Sequence, residues 1–149
     1  MKVMLVCSAG GHLSQLYQLR PWWQRHERVW VTFPGAHADA LLAGEKMIPA
    51  FRPTTRNIPN AVRNLGLAIR TLRAERPDVL VSDGAGVAFP FFLTARALGV
   101  RTVYLEVYDR ITRPTLTGRL CYPLADLFAL QWPEQAASYP HGEVIGCLL

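Results

Sequence analysis

The sequence contains few cysteines, and they form no recognisable pattern. Cys7, Cys121 and Cys147 are far apart and include no CxxC pair, and the four histidines do not complete a zinc-ligand spacing. We therefore expect neither a disulfide framework nor a structural zinc, and a reducing compartment is favoured. No acidic pair has metal-ligand spacing, so no metal site is predicted.

Long hydrophobic runs are also missing. The apolar segment 1–7 is broken by Ser8 and two glycines, far short of the ~20 apolar residues that a membrane span needs. The later run 84–95 is too short as well, and it contains Pro90. With no signal peptide at the start, the expectation is a cytoplasmic chain that does not span a membrane.

The usual nucleotide-binding motifs are absent. The first glycine turn lacks G-x-G-x-x-G spacing, and the second predicted strand ends in Val31-Thr32-Phe33-Pro34 without an acidic residue. The G-K-[ST] of a P-loop does not occur. No nucleotide fingerprint and no cofactor are therefore predicted.

What the sequence does contain suits one globular domain covering residues 1–149. Half of the residues are hydrophobic and 18% are charged, enough to bury a core. The net charge of +5 and the pI of about 9.5 favour an anionic partner, whether nucleic acid, a phosphorylated ligand or an acidic lipid surface. Charge alone does not choose among them.

Short apolar runs alternate with longer helical patterns along the whole chain. Strands that are apolar on both faces, each followed by a helix, indicate an α/β fold with a doubly wound, Rossmann-like parallel sheet. We predict strands at 2–7, 28–33, 47–51, 78–82, 101–107, 126–131 and 143–146, and helices at 12–25, 36–44, 59–75, 86–98 and 115–124. Ligands of such folds bind at the carboxyl ends of the strands.

Two glycine turns follow strands and precede helices. The first contains Ser8, Gly10 and Gly11, and the second contains Gly84 and Gly86. Adjacent glycines let backbone N–H groups approach an anion, and two such turns at one sheet edge suit a diphosphate. Alternatively, the glycines only make the turns and allow tight packing.

Two residues near these turns are candidates for proton transfer. His12 lies on the first turn of the helix after the first glycine turn, and Glu106 lies at the end of the fifth strand. Each also has a structural interpretation, since His12 can cap the helix and Glu106 can form a salt bridge with a nearby arginine.

The helix at 59–75 places Val62, Leu65, Ile69 and Leu72 on one face and Arg63 and Arg70 on another. Together with Arg56, and with Trp22 and Trp23 near the end of the first helix, the arginines are candidate contacts to a membrane surface. A solvated arginine face and tryptophans packed in the core are the commoner outcomes of such patterns.

Several sequence blocks in order resemble a known family. They resemble the PssD/EpsE-type subunits of bacterial exopolysaccharide and capsule synthesis, and are similar to the membrane-anchoring subunit of the eukaryotic dolichol-pathway N-acetylglucosaminyltransferase and to the N-terminal half of MurG. The blocks are KVMLVCSAGGHLSQL, RPWWQRHERVWVTF, SDGAGVAFPFF, VRTVYLEVYDRITRPTLTGRL and YPLADLFALQW.

The resemblance implies one half of a GT-B glycosyltransferase that is divided between two chains. This chain would bind a polyprenyl-diphosphate-linked sugar acceptor at the cytoplasmic face of the membrane, and a PssE-like partner would bind the UDP-sugar. Gly10, Gly11 and His12 match the end of the first glycine loop of MurG-like enzymes, Gly84 and Gly86 fall in the second, and Glu106 matches a glutamate after the fifth strand. His12 is the first candidate for the base of an inverting transfer and Glu106 the second.

Two other hypotheses remain open. The chain can be a non-catalytic scaffold that recruits a catalytic subunit to the membrane. It can also be a small nucleotide-binding or nucleic-acid-binding domain, which ranks lowest because no fingerprint supports it, so no nucleic-acid partner is predicted.

Overall fold

The computed structural model describes residues 1–148, which form one seven-stranded sheet. All strands pair in parallel in the order β3-β2-β1-β4-β5-β6-β7. The strands are β1 Lys2–Val6, β2 Glu27–Thr32, β3 Met47–Pro49, β4 Val79–Ser82, β5 Arg101–Leu105, β6 Leu127–Leu130 and β7 Glu143–Val144. The order reverses between β1 and β4, as in a doubly wound Rossmann-like fold. The fold predicted from the sequence is confirmed.

Helices cover both faces of the sheet. They are α1 Gly11–Tyr17, α2 Arg20–Trp23, α3 Ala36–Leu41, α4 Ile58–Glu75, α5 Ala88–Ala97 and α6 Leu116–Cys121, with 3-10 turns at Tyr122–Leu124 and Pro133–Ala137. Alternate residues of β1 separate two hydrophobic clusters. Val3 and Leu5 pack with α1, α2 and α3, whereas Met4 and Val6 pack with α4, α5 and α6.

The single helix predicted at 12–25 is two helices. Pro21 has no N–H group to donate to the carbonyl of Tyr17, so a continuous helix would lose a hydrogen bond there. The backbone tightens at that point, with N–H groups of Gln18 and Leu19 donating to carbonyls three residues earlier. Pro21 then stands in the first turn of α2, a position that proline tolerates.

The faces predicted for α4 are wrong for Val62 and Ile69, whereas Leu72 is buried as expected. Its buried side consists of Asn60, Asn64, Leu67, Ala68, Thr71 and Leu72. Val62 and Ile69 point outward instead, on the same exposed side of the helix as Arg63 and Arg70. The outer face of α4 therefore combines apolar and basic side chains. Within residues 1–148, no helix is both long and apolar enough to cross a bilayer.

Candidate functional site

Both glycine turns open at the same edge of the sheet. Val6, which ends β1, pairs with Ser82, which ends β4, so the two turns begin side by side at the carboxyl ends of neighbouring strands. β5 lies on the other side of β4 and ends at Leu105, one residue before Glu106. The predicted convergence of the two turns and the Glu106 strand at one edge is confirmed.

His12 is held against Asp83, the first residue after β4. Its Nδ1 lies 3.1 Å from the backbone carbonyl oxygen of Asp83 and 3.5 Å from the carboxylate Oδ1. A carbonyl oxygen only accepts, so Nδ1 carries the hydrogen of this bond and a neutral ring leaves Nε2 as the acceptor. The His12 side chain stays 29% exposed, whereas that of Asp83 is completely buried. The pair therefore leaves one acceptor nitrogen on a partly exposed imidazole that lines the cleft.

Burial and charge set the protonation of this pair. Burial raises the pKa of the Asp83 carboxyl to about 6, although its bonds to His12 and Gln15 act in the opposite direction. Burial lowers the pKa of His12, but the hydrogen bond and negative charge of Asp83 outweigh that effect and leave the pKa raised. Asp83 is thus mainly ionised at neutral pH, and it stabilises a protonated His12.

The buried side-chain amides of Gln15 and Gln131 form a hydrogen-bond network with Asp83. Gln15 Nε2 donates to Asp83 Oδ2 at 3.0 Å, and Gln15 Oε1 accepts from Gln131 Nε2 at 2.7 Å and from the backbone N–H of Tyr108 at 3.2 Å. Gln131 Nε2 also donates to the carbonyl of Glu106 at 2.9 Å. The network joins the segments that follow β1, β4, β5 and β6, so these loops are fixed relative to one another.

Sequence reasoning missed Asp83, Gln15 and Gln131 as site residues. Asp83 could have been found, since it directly follows a buried strand whose end had already been assigned to the ligand edge. Gln15 lies one helical turn after His12 on the same short helix. Gln131 follows β6, and no local pattern in the sequence indicates that it reaches Gln15.

The two glycine turns differ in openness. Gly10 and Gly11 are exposed, and a Cβ added at either residue would meet no atom within 4 Å. Gly84 is buried, and its N–H donates to Ser82 Oγ. A Cβ there would lie 2.6 Å from Tyr104 Oη, and a Cβ at Gly86 would lie 2.8 Å from Thr54 Cβ.

The structure therefore favours a packing role for Gly84 and Gly86 over direct contact with a diphosphate. Ser8 does not cap α1, because Gly10 takes the N-cap position and Ser8 Oγ contacts the carbonyl of Ala9. Of the residues assigned to the diphosphate, Gly10 and Gly11 remain the open ones.

Glu106 is enclosed rather than presented to the cleft. The residue has no exposed surface, and its Oε1 accepts from the N–H of Val107 at 3.0 Å. Burial raises the pKa of its carboxyl, and Gly118 leaves room for the Glu106 carboxylate beside the Tyr139 hydroxyl. A base has to touch the acceptor hydroxyl, so the enclosed position of Glu106 speaks against that role.

A small cleft of about 210 Å³ lies beside His12. Gly11, His12 and Gln15 line one side, and Val107, Tyr108 and Asp109 line the other. Its walls come from the segments after β1 and β5, so the cleft lies across the topological reversal of the sheet, where such folds bind ligands.

The residues predicted to contact a membrane do not form one surface. Arg56, Arg63 and Arg70 are exposed at or near the outer face of α4. Trp23 is 2% exposed and packs edge-to-face on Trp30, so it is a core residue and its predicted membrane role is wrong. Trp22 is half-buried on α2, on the opposite face of the sheet from α4. It cannot share a bilayer surface with those arginines.

Comparison with known proteins agrees with this architecture. A family model described as "Oligosaccharide biosynthesis protein Alg14 like" matches residues 52–148. The chain belongs to the Alg14 family. A relative in Yarrowia lipolytica, named UDP-N-acetylglucosamine transferase subunit ALG14, is 25% identical over 99% of this chain and 81% of its own length. One of the same name in Eremothecium gossypii is 34% identical over 67% of this chain and 47% of its own length.

Solved structures show the same fold at lower identity. MurG of Acinetobacter baumannii superposes with a TM-score of 0.73 at 18% identity over 89% of the chain. The MnaA–UDP structure of S. aureus does so with a TM-score of 0.75 at 17% identity over 93% of the chain. The chain spans 41% of the length of each of these proteins. Its architecture is accordingly that of one half of a GT-B fold.

Proposed function

We propose that this chain is the acceptor-binding subunit of a two-chain inverting glycosyltransferase. In this proposal it is the N-terminal-type, acceptor-side half of a GT-B enzyme and binds a polyprenyl-diphosphate-linked sugar. A separate PssE-like chain supplies the UDP-sugar. The relatives in Yarrowia lipolytica and Eremothecium gossypii are named as subunits of a UDP-N-acetylglucosamine transferase, which supports a role as a subunit and a UDP-sugar donor.

The observation that carries the proposal is the contact of His12 with Asp83 at the mouth of the cleft. The bond from Nδ1 to the carbonyl of Asp83 leaves Nε2 unprotonated in the neutral ring, and the carboxylate stabilises the imidazolium that forms when Nε2 takes a proton. An acceptor hydroxyl in the cleft would lose its proton to Nε2 while its oxygen attacks the anomeric carbon of the donor. The bond from that carbon to UDP breaks, and UDP leaves with the electron pair.

The open turn at Gly10 and Gly11 is the proposed seat of the acceptor diphosphate. It lies immediately before His12, and neither glycine carries a side chain that would obstruct a bulky anion. The pyrophosphate would then hold the sugar close to Nε2, because a diphosphate is joined directly to the reducing sugar of such lipids. Orientation of this kind supplies much of the rate of a group transfer.

The proposed setting is the cytoplasmic face of a membrane. A positively charged chain is attracted to an anionic leaflet, and the outer face of α4 offers both arginines and exposed apolar side chains. The resemblance to PssD/EpsE-type subunits supports exopolysaccharide or capsule synthesis as the pathway.

Replacement of His12 tests the catalytic role. We expect His12→Ala to lower the turnover of the assembled complex by about 100-fold or more, the range for losing a positioned base. His26→Ala is the matched control, because His26 lies between α2 and β2 at the opposite edge of the sheet. Its turnover should stay close to wild type. Turnover is measured with a UDP-sugar and a short-chain polyprenyl-diphosphate sugar in detergent.

The second candidate is the scaffold hypothesis, in which this chain supplies no catalytic group. Because Glu106 is enclosed, His12 is the remaining proposed base, and replacing His12 decides between the two candidates. If folded His12→Ala supports near-normal turnover, the base belongs to the partner and this chain is a recruiting scaffold. A loss of turnover without a loss of complex formation would exclude that alternative.

A further inference from the structure

A second cavity lies at the amino edge of the sheet, opposite the His12 cleft. It has a volume of about 830 Å³ and is formed where α4 and α5 end and where β4 and β5 begin. Three arginines line it: Arg73 and Arg76 at the end of α4, and Arg101 at the start of β5. No residue of the proposed catalytic site contributes to this cavity.

The three guanidinium groups are available to a ligand. Within residues 1–148, none of them forms a described ion pair or side-chain hydrogen bond. The acidic residue in the lining is Asp78, whose Oδ2 accepts from the backbone N–H of Lys2 at 2.7 Å. The carboxyl ends of α4 and α5 each add roughly half a negative charge here. Three full positive charges exceed these contributions and Asp78 together, so the cavity favours an anion.

An apolar groove continues from this cavity along the protein surface. Leu65, Ile69, Leu93 and Ala97 line the groove between α4 and α5, and Arg73 and Leu98 line both it and the cavity. Leu93 and Leu98 are exposed. A basic cavity that opens into an apolar groove complements a molecule with an anionic head and a hydrocarbon tail.

The same groove lies beside the exposed apolar row of α4. Ile58 is 77% exposed and Val62 62% exposed, and both lie on the side of the helix that carries Ile69. α4 has 18 residues, so it is about 27 Å long at 1.5 Å per residue. A bilayer that touches the row along α4 would also reach the arginine cavity.

The ordinary explanation of Arg73 and Arg76 is that cations near helix ends compensate the helix dipole. That explanation accounts neither for Arg101, which lies on a strand, nor for the groove that leads out of the cavity. The geometry points to a phospholipid seat, in which Arg73, Arg76 and Arg101 bind an anionic headgroup and the α4–α5 groove holds part of an acyl chain. This inference rests on the proposed membrane association and specifies which lipid class it selects.

Removing two charges from the cavity tests this seat. We expect Arg76→Gln with Arg101→Gln to weaken binding of the full chain to phosphatidylcholine vesicles containing phosphatidylglycerol by about tenfold or more. Arg20→Gln with Arg25→Gln is the matched control, since it removes two exposed arginines outside the cavity, Arg20 in α2 and Arg25 in the turn that follows α2. The control pair should change binding to the same vesicles by less than about twofold. Both are compared by co-sedimentation.

A separate variant tests the proposed contact between the α4–α5 groove and an acyl chain. Leu93→Asn makes the groove polar without adding a charge beside Arg73, so it should weaken binding to the same vesicles. Equal losses for the cavity pair and the control pair would show that only total charge matters and would overturn the seat. Unchanged binding of the cavity pair, or a preference for vesicles of pure phosphatidylcholine, would also overturn it.

Turnover with a short-chain acceptor in detergent separates this inference from the proposed function. The cavity pair lies at the edge opposite His12, so its turnover should equal that of wild type, which also shows that the variant is folded. Wild-type turnover with unaltered vesicle binding would reject the lipid seat alone. Absence of turnover in the wild-type complex would reject the proposed transferase function.

Discussion

Two buried carboxyl groups lie near the cleft, and their surroundings differ. Asp83 has an imidazole at 3.5 Å and an amide donor at 3.0 Å, so burial and hydrogen bonding compete over its charge. Glu106 has the N–H of Val107 and the hydroxyl of Tyr139 as neighbours and has no exposed surface. Both residues carry a carboxyl group, and both directly follow a strand. Asp83 contacts the His12 imidazole directly, whereas Glu106 acts on His12 through its charge alone.

At the residue scale, Asp83→Asn should separate the effect of the Asp83 charge from simple packing. Asp83 raises the pKa of His12, and a base has to be unprotonated, so the wild-type rate rises as pH increases through that raised pKa. Loss of the charge lowers the pKa of His12, so the acid limb of the pH–rate profile should move to lower pH. Turnover should also fall by about tenfold or more, because the imidazolium loses the carboxylate that stabilises it while its bond to the Asp83 carbonyl is kept.

The control for this change is Asp39→Asn, which removes an exposed carboxylate from α3. It should leave both the rate and the position of the acid limb unaltered. If Asp83→Asn lowers only the thermal stability and leaves the limb in place, Asp83 has a purely structural role.

At the element scale, α4 shows how polar residues can form a buried face. Asn64 donates to the carbonyl of Phe51 and accepts from its N–H, both at 3.0 Å, and Asn60 donates to the carbonyl of Pro53 at 2.8 Å. These bonds fasten the segment after β3 to the helix. Buried amides that satisfy backbone groups cost little, so they can replace apolar residues on the inner face. Val62 and Ile69 are thereby free to point outward.

The outer face of α4 should bind an anionic bilayer reversibly. Arg63→Gln with Arg70→Gln is expected to weaken binding to phosphatidylglycerol-containing vesicles, since each basic residue near such a surface contributes about 1 kcal/mol. Binding of the wild type should also weaken as salt is raised, because exposed charges are screened. Co-sedimentation over a salt series measures both, with the Arg20 and Arg25 double variant as control. Binding that is absent, or indifferent to salt, would contradict the proposed surface.

At the scale of the whole molecule, the sheet has one ligand-binding edge, so we expect a second protein to bind the sugar donor. The purified chain should show no UDP-sugar turnover, and a PssE-like chain should restore it, because donor and acceptor have to be held in contact. Tyr108, Ile111 and Leu116 are exposed apolar residues in and after the loop that forms one wall of the cleft. They are the proposed contact surface for the partner.

Leu116→Asp tests that surface, because Leu116 is 73% exposed and a charge there should not disturb folding. It should weaken association with the partner, measured by size-exclusion chromatography, and lower turnover at limiting partner concentration. Val144→Asp on the edge strand β7 is the control and should leave association intact. Turnover by this chain alone, with the partner rigorously absent, would overturn the two-chain proposal.

Local sequence determined the strands, the turns and the class of fold. Apolar runs such as 2–7 and 28–33 are buried on both faces, which requires helices on both sides of a parallel sheet. The two glycine turns follow the first and fourth strands. Because parallel strands end at the same edge of a sheet, both turns lie at the edge where ligands bind. Periodicity failed where a residue's partner lies elsewhere in the chain, as with Asn64 of α4, and where tertiary packing hides an aromatic residue, as with Trp23.

Tertiary structure alone decided which of the candidate residues act together. His12 and Asp83 are 71 positions apart, and Gln131 reaches Gln15 across 116 positions. Such contacts depend on the order of strands in the sheet, which brings β1 beside β4, and spacing along the chain does not encode that order. The same packing enclosed Glu106 and opened Gly10, although both had been assigned to one site. Residue types therefore specified the available chemistry, and strand order determined which groups meet.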